Sequence, residues 1–88
     1  MNIETLTSIL GNNTLSYSYI SMASMANIMN YANVKLQMDR SSLDYYYEIS
    51  VNELVNSNIN EDEVKIMKTQ GWSFNNDKSS LILYIKSN

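Results

Sequence analysis

VKLQMDRSSLDYYYEISV, residues 34–51, decides the fold. Val34, Leu36 and Met38 alternate with Lys35, Gln37 and Asp39. Arg40-Ser41-Ser42 then turns the chain, and the alternation resumes. Leu43, Tyr45, Tyr47, Ile49 and Val51 share one face; Asp44, Tyr46, Glu48 and Ser50 take the other. A period of two, rich in aromatic and β-branched residues, marks half-buried strands. The stretch predicts an antiparallel hairpin with one face on a core and one toward water.

Downstream, NELVNSN (52–58) reads as a short helical turn and EDEVKIMKTQ (61–70) as a capped helix. Asn60 is the N-cap, Glu63 closes a capping box, and Ile59 and Val64 hold the positions of a hydrophobic staple. Glu61, Asp62 and Glu63 meet the positive end of the helix dipole. Gly71 stands at C′ and Trp72 at C″, the pattern of a Schellman ending. WSF, a turn at NNDK, and SLILYIK then form a second hairpin. Leu81, Leu83 and Ile85 share a face, and Ile82 and Tyr84 take the other. Two apolar faces predict a central strand or one covered on both sides.

Upstream, Ile3, Leu6, Ile9 and Leu10 have helical spacing over residues 2–10, and Gly11-Asn12-Asn13 ends that helix, with Gly in its usual C′ place. Between Glu4 and Lys35 no residue is charged. Residues 15–32 read as a helix with Leu15, Tyr19, Met22, Met25, Ala26, Met29 and Ala32 on its core stripe. Its first few residues also fit a strand. The order is α-α-β-β-α-β-β: one α+β domain over residues 1–88, with a four-stranded antiparallel sheet of two hairpins and two to three helices. No linker, domain boundary or internal repeat is evident.

Composition narrows the function. Charged residues are 17%, against about 25% in ordinary domains, and the net charge is −3. The chain has no His and no Cys, so the commonest general base and metal ligands are missing. Lys78-Ser79-Ser80 falls in a turn, and Glu61-Asp62-Glu63 at a helix start, both ordinary places for such residues. NSNINEDE has neutral amides where a calcium loop needs carboxylates, Glu61 where it needs Gly, and Met67 at its twelfth position. The reading is therefore a non-enzyme with no metal and no cofactor. Six basic residues scattered among nine acidic ones give no phosphate-binding patch, so no direct nucleic-acid binding is expected. The uncharged stretch holds too many Asn and Ser residues to cross a membrane, and no basic segment precedes it. A soluble intracellular chain is expected.

Two surfaces stand out as partner-binding candidates. On the 15–32 helix, Tyr17, Ile20, Ile28 and Tyr31 gather opposite the core stripe, with Ser24 and Asn27 between them. Surface helices place charge there; tyrosine with Ser and Asn suits an interface. The other reading is a helix covered on both sides. The second candidate is Asp44, Tyr46 and Glu48 on the outward face of the second strand, where Asp44, Glu48 and Glu53 also form a local acidic edge.

The excess of Asn and Tyr, the compact α+β order and the lack of catalytic residues resemble small phage and mobile-element proteins. Among these the chain is most similar to anti-CRISPR proteins. The resemblance covers general make-up and transfers no functional residue. It implies a stoichiometric, non-enzymatic inhibitor, acting in the host cytoplasm on a host protein such as a large nuclease or ribonucleoprotein. The alternative is a self-associating phage structural or accessory protein, a homo-oligomer joined through the same uncharged helix.

Overall fold

A computed structural model describes residues 1–11 and 22–85. In chain order they form α1 (Ile3–Leu10), α2 (Met22–Ile28), β1 (Val34–Met38), β2 (Tyr45–Ser50), α3 (Val51–Val55), α4 (Glu61–Gln70), β3 (Ser73–Phe74) and β4 (Ser80–Tyr84). The sheet runs β1-β2-β4-β3, antiparallel throughout. The expected α+β architecture and element order hold, and β4 is a central strand. The two hairpins join through β2 and β4.

The alternation in the first hairpin sets its register. Val34 faces Ile49, Leu36 faces Tyr47 and Met38 faces Tyr45, so the apolar set lies on one side of the sheet. Helices α1, α3 and α4 pack on that side. Leu6, Leu10, Leu54, Val64, Met67 and Trp72 bury against Ile49, Leu81 and Leu83. Burying each of these large side chains contributes about 1.5–3 kcal/mol. The strand pattern overran at its ends: Leu43 lies in the loop with φ 63, and Val51 opens α3.

Helix α4 forms where its local signals place it. Asn60 Oδ1 accepts from the Glu63 N–H at 3.0 Å. Gly71 is left-handed at φ 101. Its N–H bonds Lys68 O at 3.1 Å, and the Trp72 N–H bonds Met67 O at 3.3 Å, which completes the Schellman ending. The capping box is only half present. The Glu63 carboxylate instead accepts from Asn27 Nδ2 at 2.7 Å, a tertiary bond that local spacing could not reveal.

Helix α1 starts on Asn2, whose side chain accepts from the Thr5 N–H at 2.8 Å. Gly11 ends it in the right-handed region at φ −61. Its N–H bonds Thr7 O at 2.7 Å, and a Cβ on Gly11 would stand 2.5 Å from that oxygen. Small size is what the position uses.

The expected 15–32 helix needs correction. Its first part, with Leu15, Tyr17, Tyr19 and Ile20, lies outside the described residues. The regular helix ends at Ile28, and tightened turns follow, with the Asn30 N–H bonding Asn27 O at 3.2 Å and the Tyr31 N–H bonding Ile28 O at 2.9 Å. The stripes are also reassigned. Ile28, expected on the outer face, is 3% exposed, and Tyr31 is half-buried against the core. Met25 and Ala32 face inward as expected, but Ala26 and Met29 are exposed, Met29 at 57%. The rotation of α2 matches its tertiary contacts: Asn27 donates to Glu63 on α4 at 2.7 Å, and Ile28 joins the buried core.

A five-residue repeat escaped the sequence reading: Asp39-Arg40-Ser41-Ser42-Leu43 recurs as Asp77-Lys78-Ser79-Ser80-Leu81. Its first half is built alike in both hairpin loops. Asp39 Oδ1 accepts from the Ser41 N–H at 2.9 Å and the Ser41 hydroxyl at 2.7 Å. Asp77 Oδ1 accepts from the Ser79 N–H at 2.9 Å and hydroxyl at 2.6 Å. The copies then part. Leu43 is 69% exposed in its loop, while Leu81 is fully buried in β4.

Candidate functional site: the outer face of the sheet

The side of the sheet away from the helices is built by the alternate residues of β1, β2 and β4. Glu48 stands between Lys35 on β1 and Ile82 on β4; Tyr46 stands between Gln37 and Tyr84. Pairing β2 with β4 therefore merges two sets that the sequence held apart, Tyr46 with Glu48 and Ile82 with Tyr84. The two tyrosine rings lie 5.3 Å apart between centroids, tilted by 45°, a favourable aromatic arrangement.

Tyr84 extends over β2 and donates its hydroxyl to Asp39 Oδ2 at 3.1 Å. Asp39 is thereby held at the rim of the face. Its carboxyl lies below the ordinary range, chiefly because of the Ser41 hydroxyl, then the Ser41 N–H, with Tyr84 contributing less. It is ionised at neutral pH. With Arg40, Glu48, Tyr46, Ile82 and Tyr84 it lines an open concavity of about 600 Å³.

The candidates from the sequence are distributed as follows. Tyr46 and Glu48 come together in this concavity. Asp44 does not line it; Asp44 closes the β1–β2 loop, its carbonyl accepting from the Asp39 N–H at 2.8 Å. Glu53 leaves the expected acidic edge, because it sits on α3 and accepts from Asn33 Nδ2 at 3.2 Å. On α2, Ser24 and Ile28 face α4 and Tyr31 packs on the core, so this part of the proposed docking face is turned inward. Tyr17 and Ile20 lie outside the described residues. Asp39, Arg40, Ile82 and Tyr84 were missed as site residues. The apolar second face of β4 was the signal for Ile82 and Tyr84, and only the strand order attached it to Tyr46 and to Asp39.

Chemically the face combines apolar contact area, hydroxyls and carboxylates. Among the described residues no group of three or more His, Cys, Asp or Glu could hold a metal ion. No described helix is long and apolar enough to cross a membrane. The tyrosines offer ring faces to a ligand, but Glu48 and Asp39 beside them repel phosphate. A cationic or aromatic group of a protein partner suits the site better. No family model matches the chain, and comparisons with curated proteins and with solved structures give no match.

Proposed function

We propose that this protein is a non-enzymatic binding module that contacts a protein partner through the outer face of its sheet. The observation that carries the reading is the Tyr46–Tyr84 pair, half-buried beside Glu48 on a face that no described helix packs against. Tyrosine supplies large contact area at low entropic cost, and such side chains dominate binding energy at interfaces. Glu48 and Asp39 favour a partner surface that presents Arg or Lys. Nucleic-acid enzymes carry such surfaces where they bind phosphate.

The narrower reading is stoichiometric inhibition of a host defence nuclease or ribonucleoprotein, inside the host cell, in the manner of anti-CRISPR proteins. Small size, general make-up and the absence of His and Cys support it. The test uses wild-type protein and a Tyr46→Ala, Glu48→Lys variant checked for native circular dichroism. Wild type should capture a nucleic-acid enzyme from host lysate and abolish its activity at equimolar ratio, and the variant should do neither. Equal capture and inhibition by both proteins would refute the assigned face.

A further inference from the structure

We propose that β1 is a self-pairing edge, through which two copies of this chain join their sheets into one. The two edges of the sheet differ. Strand β3 spans only Ser73–Phe74, too short to template a partner. Strand β1 offers the continuous run Val34–Met38, in unbroken register with β2 and without bulge or proline. Among the described residues, no helix, strand or bulge blunts this edge, and its one charge is Lys35.

Backbone direction follows from the bonds on either side. The Ile85 N–H bonds Tyr45 O at 2.9 Å, so Tyr45 and, by alternation, Tyr47 and Ile49 address β4. Tyr46 and Glu48 then address β1, where they meet Gln37 and Lys35. Val34, Leu36 and Met38 are left with their N–H and C=O groups directed away from the sheet. Their side chains add apolar surface: Leu36 is 59% and Met38 46% exposed.

The pattern selects a second copy as the occupant. A two-fold axis at Leu36 sets Leu36 against Leu36 and Val34 against Met38, all positions with outward backbone groups. Each such pair exchanges two N–H···O bonds. On the helix-bearing side the apolar residues of both copies become neighbours. On the other side Lys35 falls opposite Gln37, so no like charges meet. Centring the axis on Lys35 instead would oppose two ammonium groups. The contact is isologous and closed, giving a dimer and not a fibre.

Light scattering and sedimentation of the full chain across the micromolar range should show a concentration-dependent dimer. Leu36→Lys should weaken it by about tenfold or more, since each substitution enters twice and opposes like charges. At concentrations where wild type is itself monomeric its melting should be unchanged, because Leu36 is largely exposed in one copy. Mixing Leu36→Lys with Leu36→Glu should restore dimers. Amide exchange read by NMR should slow with concentration at Val34, Leu36 and Met38, and not at Lys35 or Gln37. A wild type that stays monomeric throughout overturns the proposal. So does a dimer that Leu36→Lys leaves intact with the three amides unprotected.

Discussion

Tyr84 on β4 and Asp39 at the end of β1 are joined by a hydrogen bond of 3.1 Å, although β2 lies between their strands. The tyrosine reaches across Tyr46 to do so. The loop of the first hairpin is thereby tied to the last strand, and the rim of the candidate site is held by a residue from each end of the fold.

The Asp39 carboxyl is accordingly expected to titrate below its ordinary value of 3.8, and Asp77 likewise through Ser79. The sign follows from linkage. A carboxyl whose folded pKa is depressed contributes stability that is present above its unfolded pKa and lost as pH falls through the folded value. Both contributions should therefore persist at neutral pH and fade only below 3.8. Carboxyl titration by NMR checks this. Ser41→Ala should return Asp39 toward 3.8 more than Tyr84→Phe does, because the Ser41 hydroxyl is the larger cause; the opposite order contradicts the assignment.

The rotation of α2 gives a second expectation. Ile28→Ala should lose roughly 2 kcal/mol or more of stability, as buried Ile truncations do. Met29→Ser, on the exposed side, should change stability by no more than about 0.5 kcal/mol. Urea unfolding of both variants measures the difference. Equal effects would mean that α2 does not present Ile28 to the core.

Leu43 and Leu81 end the two copies of the pentapeptide and give a third. Leu43 is exposed at φ 63, a region costly for any residue with a Cβ. Leu43→Gly should raise stability by up to about 1 kcal/mol. Leu81→Ala should lower it by about 2–5 kcal/mol. Thermal melts of the two variants decide the matter, and a destabilising Leu43→Gly would count against the loop conformation.

The bounds of helix α4 were legible because their signals are local: Asn60 caps an N–H three residues away, and Gly71 and Trp72 close carbonyls within one turn. The first hairpin was legible because a period of two leaves one choice of buried face. Glu63 shows where such reading stops. Its spacing from Asn60 fits a capping box, yet its carboxylate serves Asn27, distant in sequence. The candidate site was half legible. Tyr46 and Glu48 follow from alternation, but Tyr84 and Ile82 join them only through a strand pairing that no local pattern encodes.

Amino-acid order alone determined the sequence of elements, the inward face of the first hairpin and the absence of imidazole and thiol chemistry, since these depend on residue type and on neighbours a few positions away. Tertiary structure decided which helix face is covered, which strands adjoin, and which of two identical Asp-x-Ser-Ser-Leu endings is buried. The free energy of burial depends on what the rest of the chain places against a residue, and Leu43 and Leu81 differ in nothing else so much as that.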